Sequence, residues 1–185
     1  MKLTLAMMAA PVALIATALP AQDKADDIVD KIVNNPNPQA FEIYNAPEPA
    51  RVVTAKSVQG GHALRVEIPG ADAKPWAISL SDPIEKPVKK GDKLVLAFYA
   101  RAAKSAAADG GAHLPNNGVQ LAKAPYTGIF GGPVDITSEW KMYNLQGVAD
   151  RDYAAGELAV SMHLASGKQT LEFGPIFVLD LGPAS

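Results

Sequence analysis

The chain has no cysteine, which excludes disulfides, thiolate nucleophiles and zinc sites built on sulfur. Histidine is almost as scarce: His62, His113 and His163 are far apart in sequence, so only folding would bring them into one metal site. Aromatic residues make up 6% of the 185 positions, a thin supply for a surface that works by ring stacking. Neither sign of charge dominates. Lys and Arg number 17 against 19 Asp and Glu, mixed along the chain for a net charge of −2, so the basic stripe required for nucleic-acid binding is missing. Catalytic signatures are missing too: there is no Gly-x-Ser-x-Gly elbow, His-Glu-x-x-His pair, phosphate-cradling glycine loop or dinucleotide fingerprint. Asp150 and Asp152 flank Arg151 in a turn-like setting, a self-neutralising loop rather than two carboxylates facing across a cleft. These absences argue against an enzyme and leave a hydrolase with an unrecognised site as the remote alternative.

What is present begins with an export signal. Met1-Lys2 supplies a positive charge, 3–19 is apolar apart from threonines, and small residues at Ala16-Thr17-Ala18 and Leu19-Pro20-Ala21 precede polar Gln22-Asp23-Lys24. This pattern predicts a secretory signal peptide over 1–21, cleaved after Ala21 or alternatively after Ala18. The apolar run, broken by Pro11, is short for a membrane span, so the expected mature protein has none and is secreted or periplasmic in a bacterium. Residues 22–39 read as a leader: Ile28, Val29, Ile32 and Val33 have helical spacing, and Asn34-Asn35-Pro36-Asn37-Pro38 stops the helix. The expectation is a short helix packed loosely on the domain that follows.

Residues 40–185 read as one all-β domain. Hydrophobic residues are 48% of the chain, enough for a real core. Period-two segments fall near 40–45, 51–58, 62–68, 76–81, 93–102, 118–124, 134–136, 140–148, 157–165 and 170–181. Turn chemistry separates them at Gly60-Gly61, Pro69-Gly70, Gly131-Gly132-Pro133 and Ser166-Gly167. Leu64, Val66 and Ile68 oppose Arg65 and Glu67; Leu158, Val160, Met162 and Leu164 oppose Ala159, Ser161 and His163. Such spacing indicates an antiparallel β-sandwich or jelly roll. Residues 103–118, rich in alanine and glycine, read as a long loop insertion. Just before it, 91–103 is the clearest strand: Leu94, Leu96 and Phe98 face inward, while Tyr99 and Arg101 face outward at its far end. That pair is either a solvated strand face or a ring and guanidinium suited to stacking on a ligand and hydrogen-bonding it.

The order of Gly60-Gly-His-Ala-Leu-Arg-Val66, Lys74-Pro-Trp-Ala-Ile-Ser-Leu80, Gly91-Asp-Lys-Leu-Val-Leu-Ala-Phe-Tyr-Ala-Arg101, Ile136-Thr-Ser-Glu-Trp-Lys-Met-Tyr143 and Leu171-Glu-Phe-Gly-Pro-Ile-Phe-Val-Leu-Asp180 resembles the galactose-binding-like jelly roll of carbohydrate-binding modules in families four and nine. The resemblance covers 40–181. It implies a noncatalytic module that binds an oligo- or polysaccharide on its concave sheet, with a secreted hydrolase or an envelope protein as a further partner. Sugar rings stack on aromatic faces while their hydroxyls need planar or charged hydrogen-bonding groups. On that basis the ligand residues implied are Tyr99, Arg101, Gln120 and His163, with Tyr126 (beside Phe130) as a rim. Trp76 is either a ligand platform or a core residue, and Trp140 reads as a core anchor. The resemblance also implies a structural calcium ion between Glu42, in a Phe-Glu motif on the first strand, and Asp180 on the last; oxygen ligands are what calcium takes. The alternative function is an envelope interaction or assembly domain that has the fold without the sugar site.

Overall fold

The structure is a computed structural model and describes residues 28–184; the expected signal peptide and the first part of the leader lie outside the described residues. Ten strands follow: β1 (Glu42–Tyr44), β2 (Arg51–Thr54), β3 (His62–Ile68), β4 (Ser79–Pro83), β5 (Asp92–Ser105), β6 (Ala112–Leu121), β7 (Gly128–Ile136), β8 (Lys141–Val148), β9 (Leu158–His163) and β10 (Gln169–Pro183). They form two five-stranded antiparallel sheets, ordered β1-β4-β9-β6-β7 and β2-β3-β10-β5-β8, the two layers of a jelly-roll β-sandwich. We call them the first and second sheet.

The period-two pattern decides which side chains meet between the layers. From β5, Leu94, Leu96, Phe98 and Ala100 are wholly buried; Val66 of β3, Val160 and Met162 of β9, and Phe173, Ile176 and Val178 of β10 join them. Each large apolar side chain placed there contributes roughly 1.5–3 kcal/mol of transfer free energy. The alternate positions point outward, and the two outward faces differ in chemistry.

Three expectations from the sequence are corrected here. In the described part of the leader residues 28–30 are helical with Ile28 and Val29 exposed, whereas Ile32 and Val33, expected on the same helix, are extended. The chain then bonds to both sheets. Ile32 bridges Leu179 of β10 and Asn34 bridges Ile84, just after β4. Val33 donates its N–H to the Val178 carbonyl at 2.9 Å, and its own carbonyl accepts from Glu85 N–H at 2.7 Å. Its side chain is in the core. Over so few apolar residues helical and strand spacing are hard to tell apart, and strand pairing satisfies the backbone groups. Asn34 fastens this strap. Its Nδ2 donates to Asp82 Oδ2 at 2.5 Å and to the Ile176 carbonyl at 2.8 Å, and its Oδ1 accepts from Val178 N–H at 2.7 Å.

The second correction concerns 103–118. β5 runs on to Ser105 and β6 starts at Ala112, which reduces the insertion to a loop over 106–111. Ala112 and Leu114 are buried on either side of exposed His113, so strand alternation was present beneath the alanine-rich composition. A register shift between Leu114 and Asn117 absorbs Pro115 and Asn116, as expected where proline enters a sheet. Asn117 Nδ2 closes it by donating to the Leu114 and Gly132 carbonyls at 3.0 and 3.2 Å. Gly131-Gly132-Pro133 is likewise part of β7 rather than a turn. Gly118 and Gly131 are paired there, and a Cβ on either would lie 2.1 Å from the Phe130 carbonyl oxygen or 2.3 Å from that of Asn117. Only glycine permits so close a crossing.

Candidate functional site

Strand register builds the outward face of the first sheet. Paired residues in an antiparallel sheet share a face, so Tyr44, Ser79 and His163 form one row across β1, β4 and β9. Glu42, Ser81, Ser161, Gly118 and Gly131 form the next row. Gln120, opposite Ala159, belongs to a third. The two glycines put no side chain on the middle row, and a cleft of ≈670 Å³ runs over it, a size in the usual range for ligand sites.

Trp76, Tyr126 and Phe130 all line this cleft; Phe130 is partly buried against the core, and the other two are the exposed rings. Trp76, in the 3-10 turn Pro75–Ala77 that leads into β4, is 55% exposed and lies tilted against His163, with ring centroids 5.9 Å apart. Tyr126, in the loop between β6 and β7, is 58% exposed and also lines the cleft. Its backbone has φ 57°, a left-handed conformation that costs a non-glycine residue roughly 1–3 kcal/mol and clusters at functional sites. The same lining includes the polar residues Ser79, Asn116, Asn117, Gln120, Ser161 and His163. Burial lowers the His163 pKa from its ordinary value, which favours the neutral imidazole. Its Nδ1 is buried without a hydrogen-bond partner. The described lining contains no Asp, Glu, Lys or Arg. Stacking planes beside neutral donors and acceptors suit an uncharged, hydroxyl-rich ligand.

Four of the six expected ligand residues, Trp76, Gln120, Tyr126 and His163, therefore meet in one cleft. Tyr99 and Arg101 do not join them. Both point outward as their parity requires, but β5 belongs to the second sheet, on the opposite side of the sandwich. Tyr99 and Trp140 pack on a small cluster of Ala55, Val58 and Ala63. Arg101 lies over the Trp140 ring, 5.2 Å from its centroid, and donates Nε–H to Glu172 Oε2 at 2.6 Å. Arg65 donates Nε–H to Glu172 Oε1 at 2.7 Å from the other side. Burial pushes the Glu172 carboxyl up, yet the Arg101 and Arg65 guanidiniums together hold it below its ordinary value. The pair belongs to an ion-paired patch covering the second sheet. Ser79, Asn116 and Ser161 are cleft residues that sequence reading missed; the serines share outward parity with His163, which was the available signal.

The two residues expected to hold calcium also sit apart in the topology. Glu42 is on β1, where the Tyr44 hydroxyl donates to its carboxylate. That bond, then burial and the carboxylate's charge, raise the Tyr44 pKa, with a further electrostatic contribution from Tyr126 on the same face. Asp180 is on β10 of the second sheet and accepts from Gly182 N–H at 2.8 Å. Burial raises its pKa, and Asp92 beside it adds to the rise. Among the described residues no group of three or more His, Asp or Glu side chains is placed to hold a metal ion. The three histidines stay separate: His62 Nδ1 meets the Gly60 carbonyl at 2.8 Å and His113 pairs with Asp135 at 2.5 Å. No helix among the described residues is long and apolar enough to cross a membrane.

The fold has known counterparts. A family 4 carbohydrate-binding module superposes with a TM-score of 0.59 at 17% identity, over 77% of this chain and 96% of that one. The second N-terminal cellulose-binding domain of Cellulomonas fimi β-1,4-glucanase C gives 0.55 at 20% identity, over 78% and 86%. The CBM22-1 xylan-binding domain of Paenibacillus barcinonensis Xyn10C gives 0.53 at 13%, over 83% and 94%. No protein-family model matches the sequence, and no curated protein matches it either. At these identities the likeness establishes the architecture: the chain has the jelly-roll fold found in carbohydrate-binding modules.

Proposed function

We propose that this chain, folded as carbohydrate-binding modules are, is a noncatalytic protein that binds a neutral polysaccharide in the cleft on its first sheet. The observation that carries the reading is the cleft lining: Trp76 and Tyr126 flank uncharged polar groups from β4, β6 and β9, with no ionised side chain among them. The cellulose- and xylan-binding domains of the same fold support a β-linked, uncharged glycan as ligand. The N-terminal sequence supports export to the periplasm or beyond, where polysaccharide and any hydrolase acting on it would be met.

Affinity electrophoresis tests this directly. In native gels containing soluble cellulose derivatives, mixed-linkage glucan or xylan, the expected result is retardation that salt does not relieve, because neutral contacts are not screened. Equal mobility in every neutral glycan, or retardation only by acidic pectin, contradicts the proposal. The interaction-domain alternative has one observation in its favour. Met142 and Val148 lie half-exposed with the same parity on β8, an edge strand of the second sheet. Self-association that Met142→Ser abolishes, with no glycan retardation, would support that alternative.

A further inference from the structure

The aromatic surface of the molecule is concentrated on one side. Among the described residues the most exposed aromatic side chains are Tyr44 at 47%, Trp76 at 55% and Tyr126 at 58%. Trp76 and Tyr126 flank the cleft; Tyr44 lies beyond it. Register nevertheless ties Tyr44 to the cleft floor: it pairs with Ser79, and Ser79 pairs with His163. Neighbouring strands are about 4.8 Å apart, so Tyr44 continues the row outward by one strand, to the edge of the sheet. The next residue, Asn45, has φ 57° and turns the chain away, so β1 ends the face. Glu42, two residues before Tyr44 and on the same face, accepts the Tyr44 hydroxyl. The ring is thereby tethered while remaining half-exposed, and Glu42 brings a carboxyl group to the face just beyond a cleft whose lining has none.

We infer that the binding face extends past the cleft onto β1, where the Tyr44 ring and the Glu42 carboxylate form an outer subsite for one more sugar residue of the same chain. This rests on the reading of the cleft given above. A ring tethered at its hydroxyl offers a stacking plane at little entropic cost. A carboxylate accepts hydrogen bonds from sugar hydroxyls and repels a carboxylated sugar, so this position selects a neutral residue. The ligand then crosses the strands from the cleft toward the sheet edge, and it is read as an extended chain rather than as a single terminal sugar.

Calorimetric titration with trisaccharides and hexasaccharides of the cello and xylo series tests the subsite, using wild type, Tyr44→Ala, Tyr44→Phe, Trp76→Ala and Tyr126→Ala. The expected result is that Tyr44→Ala weakens hexasaccharide binding about 3- to 10-fold, as loss of one stacking ring should. The same variant should leave trisaccharide binding and the melting temperature unchanged, and Tyr44→Phe should retain most of the hexasaccharide affinity. The subsite is overturned if Tyr44→Ala leaves hexasaccharide binding intact, or weakens both lengths equally, while Trp76→Ala and Tyr126→Ala still impair binding; the cleft reading survives either outcome. If neither oligosaccharide length binds wild type, or Trp76→Ala and Tyr126→Ala change nothing, the cleft reading itself fails and the subsite with it.

Discussion

Asp82→Asn should change how stability depends on pH. Asp82 is 1% exposed on β4, and its Oδ1 has no hydrogen-bond partner. Burial raises its pKa, the Asn34 amide lowers it and Glu85 raises it, leaving it at about 7 against an ordinary 3.8. The folded protein thus holds this proton more tightly than the unfolded chain does. Between about pH 4 and pH 7 the folded state binds more protons, so this group's contribution to stability falls as pH rises and levels off above 7. Moving a carboxyl from 3.8 to about 7 corresponds to about 4 kcal/mol at 1.36 kcal/mol per pH unit. Asparagine cannot ionise, but it leaves an unsatisfied amide, which costs about 1–3 kcal/mol at every pH. Urea unfolding of both proteins from pH 4 to pH 8 cancels the titrations they share. The variant should gain on wild type by about 2–4 kcal/mol across that range, or roughly 4–16 °C in melting temperature. Parallel stability curves for the two proteins over the whole range would refute the reasoning and place the ionised Asp82 in a better-solvated setting.

The other ion-paired and strapped groups give sharper contrasts. Arg101→Ala leaves the buried Glu172 with Arg65 alone and should cost about 1.5–3 kcal/mol in urea unfolding, with glycan affinity unchanged; a loss of affinity at unchanged stability would return Arg101 to the ligand site. Asn34→Ala removes three buried hydrogen bonds between the strap and the two sheets and should lower stability by about 3 kcal/mol or more, detectable as a lower urea midpoint. A change under about 1 kcal/mol would mean that the strap is dispensable. For calcium, protein first loaded with the ion is melted with and without chelator. If an ion joins Glu42 to Asp180, chelator should lower the midpoint, since a ligand bound only to the native state stabilises it; equal midpoints in protein shown to be loaded beforehand would remove the site.

The sandwich was legible because period-two alternation reports directly on burial. Leu94, Leu96 and Phe98, or Val160 and Met162, need no tertiary information to be placed inside. Parity was equally sound for the surface, since Tyr99, Arg101, Gln120 and His163 do point away from the core. Parity says which face of a sheet a residue occupies, however, and not which sheet its strand joins. Tyr99 and Arg101 sit on β5 while Gln120 and His163 sit on β6 and β9, and the assignment of those strands to opposite layers depends on long-range pairing. The strap and the start of β6 were hidden for a different reason. Their local composition, apolar pairs before prolines in one and an alanine-rich run in the other, favours helix and loop, and each becomes extended only because neighbouring strands offer hydrogen-bond partners. Tyr44 was passed over because a three-residue strand carries too little periodicity to show its face.

The central claim is that ligand is held on the first sheet and not on the second. Titrating one neutral hexasaccharide into wild type, the Trp76→Ala/Tyr126→Ala double variant and Tyr99→Ala decides it. The account predicts that the double variant loses about 10-fold or more in affinity, from two stacking rings at up to about 1.5 kcal/mol each, while its melting temperature holds because both rings are more than half exposed. Tyr99→Ala should bind as wild type does, with reduced stability from its place in the small cluster. Full affinity in the double variant together with lost affinity in a folded Tyr99→Ala would put the ligand on the second sheet and contradict the account.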